Sequence, residues 1–190
     1  MNYKANRARA ALKLGVAVLL LAPGLALAHN YNYLEGGYLH RDQAGDEDGF
    51  RVAGSFDILS PIAVFAEYGD VDNFSQLSIG GLWHTPLTRD LDLNLGASLE
   101  QFDHDHGGDD TGFGLRAGLR WAVPNTRLEL NPELRYVDID NDKADGVSLR
   151  LGALYALTPA LDLEGGVQGG EDDRFDVGLR YNFGPRLSGR

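Results

Sequence analysis

The chain has 190 residues, with 17 Lys and Arg against 28 Asp and Glu, a formal charge of −11 and a pI near 4.7. This acidity excludes the basic footprint of a nucleic-acid binder. There is no cysteine, so an exported fold of this size must hold together without disulfides.

The first stretch, MNYKANRARAALKLGVAVLLLAPGLALA, has a basic region with Lys4, Arg7, Arg9 and Lys13 and an apolar core from Leu14 to Leu21. Pro23 and Gly24 then break the run, and Ala26-Leu27-Ala28 is an A-x-A site. This pattern predicts a secretory signal peptide over 1–28, cleaved after Ala28. A membrane anchor is the rival reading, but the apolar core falls short of the about 20 residues a spanning helix needs. Residues 29–190 then carry 13 basic against 28 acidic groups, a formal charge of −15. No long apolar run follows residue 28, so a membrane role requires a β-barrel or attachment to the surface.

From there the chain alternates apolar and polar residues, the period of a strand with one greasy face. Ten segments show it, over about 31–40, 49–58, 61–69, 74–84, 91–101, 112–122, 126–137, 146–156, 160–168 and 174–183. Alternation is clean in GFGLRAGLRWAV, DLDLNLGASLE and RFDVGLRYNF, and blurred in the third segment, PIAVFAEY. Pro132 cannot donate to a ladder, so a bulge or a local gap is expected in the seventh. The predicted fold is all-β: a single antiparallel up-and-down transmembrane β-barrel over 29–183, with ten strands. Eight strands is the alternative if the N-terminal hairpins merge.

The connections are of two kinds. The second, fourth, sixth and eighth are short, each with one proline: Pro61, Pro86, Pro124 and Pro159. The odd-numbered ones, over 41–48, 70–73, 103–111, 138–146 and 170–173, hold 17 of the 28 acidic residues. Short turns at one end and longer loops at the other are the habit of outer-membrane barrels. An even strand number places both termini in the periplasm. Outward aromatics close the downward strands, at Phe56, Trp83, Trp121, Tyr155, Tyr181 and Phe183. A second belt comprises Tyr38, Phe50, Tyr68, Phe113, Tyr136 and Phe175, with leucines such as Leu93, Leu115 and Leu149 between the belts. These are the girdles and apolar band of a membrane barrel.

The opposite parity carries charge. Arg51, Arg116, Arg120, Arg127, Arg135, Arg150, Arg174 and Arg180 are predicted to face the lumen. So are Glu35, Asp57, Glu67, Asp92, Glu100, Glu129, Glu133, Asp162, Glu164 and Asp176. Arginine's planar fork binds carboxylates bidentately, whereas lysine, present after residue 28 only as Lys143, does not. A salt-bridge network with water is expected in a narrow barrel. Structural filling is favoured over a conducting path.

The last strand, DVGLRYNF, places Asp176, Gly178, Tyr181 and Phe183 in a pattern that resembles the C-terminal assembly signal of bacterial outer-membrane proteins. It departs from that pattern by continuing as GPRLSGR, a short periplasmic tail over 184–190. The first hairpin, YNYLEGGYL with DGFRVAGS, resembles a family of small Gram-negative outer-membrane β-barrels, porin-like and of the OmpA- and OmpX-type class, once linked to quorum sensing. The resemblance implies an integral outer-membrane protein. It implies as partners outer-membrane lipid, lipopolysaccharide and, during insertion, the barrel-assembly machinery. It supplies no catalytic residue.

Other chemistry is thin. His104 and His106 in DHDH could share a transition metal with Asp103 or Asp105, but a loop makes a poor rigid site, and no metal site is assigned. DIDNDKADG has Lys143 where an EF-hand needs its glycine and Leu149 where it needs the bidentate Glu. Weak capture of divalent cations by the acidic loops is expected. GFGLRAG lacks a nucleotide loop's spacing, and its glycines are read as relieving crowding in the lumen. No cofactor is implied, the oligomeric state is open, and a protease or lipid-modifying enzyme lacks its rim constellation. An adhesin acting through the acidic loops is the alternative function.

Overall fold

The computed structural model describes residues 29–42, 46–104, 108–139 and 146–183. The expected signal peptide, the tail, His106 and the loop 140–145 lie outside the described residues. Ten strands follow one another: β1 Tyr33–Asp42, β2 Asp46–Leu59, β3 Ile62–Val71, β4 Phe74–Pro86, β5 Leu91–His104, β6 Gly108–Ala122, β7 Leu128–Ile139, β8 Gly146–Ala156, β9 Leu161–Gly170 and β10 Arg174–Asn182. Each pairs antiparallel with its chain neighbours, and β1 pairs with β10 to close a barrel. At that seam Gly37 stands opposite Gly178. A Cβ on either would meet partner backbone at 2.1–2.3 Å, so the close approach of the two strands requires glycine at both positions.

The polarity of the barrel is inverted. Among the described residues nine hydrophobic ones are buried, against 23 polar or charged ones, while 29 large hydrophobic side chains are exposed. In water that surface would be one continuous apolar patch. In lipid it is the solvent-matched face, and closure leaves no unpaired strand edge. On β6, Phe113, Leu115 and Trp121 point out while Arg116 and Arg120 point in. The blurred third segment has a definite register. Ala63, Phe65 and Glu67 face the lumen and Ile62 and Val64 face out, so one inward position is aromatic.

Three local features correct or narrow the sequence reading. First, the acidic connections are largely strand: Asp46–Asp48 belong to β2, Asp103 to β5, Asp109 and Asp110 to β6, and Asp138 to β7. Backbone pairing continues after the side-chain alternation has become polar on both faces. The hydrophobic pattern marks the lipid boundary and not the end of the ladder. Second, of the bulge or local gap expected at Pro132 the structure has the gap: the β6–β7 pairing lapses between Gly118–Glu133 and Trp121–Leu130 and resumes in the same register. A bulge occurs instead in β2, between Asp57 and Leu59.

Third, Arg127 is not in the lumen. Parity counted from a strand beginning at 126 sent it inward, but β7 begins at Leu128. Arg127 ends a tight turn in which Asn125 has φ 60° and Val123 N–H donates to the Leu128 carbonyl at 2.9 Å. Its side chain is exposed.

Candidate functional site: a salt-bridged lumen

Because every second residue of each strand points inward, ten strands aim their polar faces into one narrow space. Glu67 on β3 is its hub. Arg51 of β2, Arg135 of β7 and Arg174 of β10 each reach Glu67 Oε1 at 3.2 Å, and Arg116 of β6 lies 3.9 Å from Oε2. One carboxylate thus ties four strands across the barrel. Three of these arginines hold a second carboxylate. Arg51 reaches Glu35 at 2.7 Å, Arg135 reaches Glu133 at 2.5 Å, and Arg174 reaches Asp172 at 3.6 Å. Arg116 instead lays its guanidinium over the Phe65 ring, 4.0 Å from the centroid.

The network continues in both directions. Toward the termini, Arg180 donates to Glu35 at 2.6 Å and covers the Tyr33 ring. Arg150 grips Asp176 bidentately and also holds Glu164 at 3.1 Å. Toward the acidic end, Arg41 donates to Asp172 at 2.7 Å and lies over Phe74, which packs edge-on against Phe102. Asp172 sits in the β9–β10 turn. Burial pushes its carboxyl up, but Arg174 and Arg41 outweigh that and hold it below the usual value.

Three carboxylates are held differently. Glu100 accepts from Ser78 and Ser98 hydroxyls at 2.5 Å and from Gln76 at 3.0 Å, not from an arginine. Gly114 makes room for it: a Cβ there would stand 2.5 Å from Glu100 Oε1 and 2.6 Å from Ser98 Oγ. Asp162 accepts from Asn182 at 2.8 Å. Asp92 is fully buried beside Arg120 and the Tyr31 hydroxyl. At the terminal mouth Arg120 bonds Glu129 at 2.8 Å, and Glu129 lies 3.8 Å from His29.

Of the eighteen charges the sequence sends inward, all but Arg127 lie on the lumenal face: Arg51, Arg116, Arg120, Arg135, Arg150, Arg174 and Arg180, with Glu35, Asp57, Glu67, Asp92, Glu100, Glu129, Glu133, Asp162, Glu164 and Asp176. The structure also brings in groups the sequence reading missed. Arg41 and Asp172 were assigned to loops, although Arg41 has the inward parity of Glu35 and Leu39. His84 is the inward neighbour of Trp83, and Tyr31 sits ahead of β1 and not in it. Of the aromatic belt at the terminal end, Phe56, Trp121, Tyr155, Tyr181 and Phe183 are exposed on the outer face, and Trp83 is half-buried there.

Cavities interrupt the packing of the described residues. One of about 100 Å³ lies between the Tyr31–Arg120 level and the Glu67 hub. One of about 40 Å³ lies between the hub and the Arg41–Phe102 level. Both are polar enough to hold a few waters. The arrangement can retain small ions and water among fixed charges of both signs.

The sequence profile of the Gram-negative porin family matches residues 21–174. No curated protein matches in sequence. Among solved structures, a KdgM porin in complex with disordered oligogalacturonate aligns with a TM-score of 0.52 at 14% identity, covering 80% of this chain and 99% of that one. KdgM porin by itself aligns at 0.50 and 14%, with the same coverage. These likenesses concern the fold.

Proposed function

The chain belongs to the Gram-negative porin family, an outer-membrane β-barrel, and from that premise we propose that it forms a narrow, polar passage gated by its own ion pairs. The observation that carries this is the Glu67 hub, where four arginines share one carboxylate between two water-sized cavities. A ten-strand barrel is too narrow to stay open when its inward side chains are this long. Any solute that crosses must do so by exchanging partners with these charges, one small ion or water at a time. Porin family and fold point to a channel and not to an enzyme.

Several finer points belong to the same proposal. The terminal end faces the periplasm and the acidic hairpins face outward, where they meet lipopolysaccharide and its divalent cations. Residues 1–28 are removed on export, 29–183 insert, and 184–190 remain as a periplasmic tail. The barrel-assembly machinery reads Asp176, Gly178, Tyr181 and Phe183. The oligogalacturonate of the KdgM complex is not carried over. An acidic sugar chain needs arginines to spare, and most lumenal arginines described here are already held by the chain's own carboxylates.

Single-channel recording of the protein extracted from outer membranes tests the passage. Small discrete steps that change with Arg116→Gln and Arg135→Gln are expected. A silent bilayer from a folded, heat-modifiable sample would refute conduction.

A further inference from the structure

We infer that residues 29–32 are an intramolecular plug, and that the terminal mouth of the barrel is a pocket for an aromatic side chain which the chain fills with its own Tyr31. The inference deepens the reading of the lumen as a passage and supplies its closure at one end.

Tyr31 precedes the first strand, so no ladder places it. It is nonetheless only 1% exposed, the most deeply buried large aromatic of the described residues. Its ring is held on two faces. The His84 imidazole stacks on it at 3.9 Å between centroids, with 15° between planes, and the Arg120 guanidinium lies 4.7 Å from its centre. Asp92 is fully buried at the same level, and neither its oxygens nor the Tyr31 hydroxyl has a hydrogen-bond partner among the described residues. His84 is in turn fixed by Asp57 at 3.0 Å, and Arg120 by Glu129. A rigid aromatic held by an imidazole and a guanidinium, each fixed in turn by a carboxylate, is a specific receptor and not general packing.

The neighbouring residues fasten the segment. Arg120 donates to the Asn30 carbonyl at 2.7 Å, and Asn30 donates to the Phe183 carbonyl at 3.0 Å. Asn32 receives the Asp57 amide at 2.9 Å and the Phe183 amide at 2.8 Å. His29 is buried against Glu129. Directly above Tyr31 lies the cavity of about 100 Å³, whose lining includes Ser55, Phe65, Arg116 and Arg120. The plug is therefore what separates that cavity from the terminal side. It can leave without breaking a strand pair, because Tyr31 takes part in none.

The absence of cysteine makes the test direct. Ser55→Cys puts a single thiol on the cavity wall, at a hydroxyl that makes no hydrogen bond. The full-length protein is purified from outer membranes in detergent and treated with a charged, membrane-impermeant methanethiosulfonate. With Tyr31 in place, or with Tyr31→Phe, labelling is expected to be slow. With Tyr31→Ala it is expected to quicken by about tenfold or more, which corresponds to about 1.4 kcal/mol of closure. Equal rates in Tyr31 and Tyr31→Ala proteins would overturn the plug. Heat-modifiable migration verifies folding. Arg120→Gln, which loosens the pocket from the barrel side, gives the same comparison should Tyr31→Ala fail to assemble. Bilayer recording of the same samples separates the two readings. Fast labelling with no current leaves the plug standing and removes the passage.

Discussion

Substituting Glu67→Gln is the sharpest test of a lumen held by shared charge. The change keeps the side chain's shape and removes the charge that Arg51, Arg135 and Arg174 each approach at 3.2 Å. Stranding one partner of a buried ion pair costs about 3–5 kcal/mol. Here three of the four arginines retain a second carboxylate, in Glu35, Glu133 and Asp172, and the adjoining cavities admit water. The cost therefore falls at the low end, about 3 kcal/mol, roughly a hundredfold in the folding equilibrium. Urea unfolding in lipid vesicles, followed by the fluorescence of Trp83 and Trp121, measures it. The same substitution leaves the hub more positive, so the reversal potential in a salt gradient should move toward anions. A stability change within about 0.5 kcal/mol, the range of an ordinary surface substitution, would mean that water and not the network neutralises these arginines.

Other perturbations separate inside from outside. Arg127→Ala, at an exposed turn, should alter stability by less than about 0.5 kcal/mol, whereas Arg41→Ala should cost about 2 kcal/mol or more by removing one of the two guanidiniums that hold Asp172 and the cation stacked on Phe74; the same unfolding assay compares them. Leu149→Arg, placing a charge on the 60%-exposed outer face, should cost about 2–4 kcal/mol in vesicles if Leu149 lies near the bilayer midplane. Asp172 is held below its ordinary value, so its ion pairs contribute stability above the unfolded pKa of 3.8 and lose it as pH falls through the lower folded value. Asp172→Asn should therefore flatten the acid limb of the stability profile below about pH 4, as read by unfolding at stepped pH.

The period of two carried most of the fold. It set the strand number and the face of each side chain because lipid on one side and charge on the other leave no ambiguity in register. It failed where that contrast ends. Arg41 and Asp48 lie beyond the apolar band, where both faces are polar, so nothing in their neighbours marks the backbone as still paired. Arg127 failed in the opposite sense, since a proline turn took in residues 126 and 127, which the pattern had given to the strand. Tyr31 is a different case. Its place depends on His84 and Arg120, which are 53 and 89 residues away, and no local pattern joins them. The partners of Glu100 were likewise invisible: parity sent it inward, but only the folded barrel shows serines around it where an arginine was expected.

Filling a barrel and conducting through it are usually set against each other, and in the passage proposed above one set of residues serves both. Apolar filling would have been simpler to satisfy but would exclude ions altogether. Lysine would offer single-point contacts. Arginine's fork lets one cation hold two carboxylates from different strands, as Arg51 does with Glu35 and Glu67 and Arg150 does with Glu164 and Asp176. Such a cation can release one carboxylate while keeping the other. Arg51, Arg135 and Arg174 at the Glu67 hub can thus open one bond at a time and keep a carboxylate each. The property that makes the network a good filler, more contacts than any single residue needs, is also what allows an ion to be handed along it.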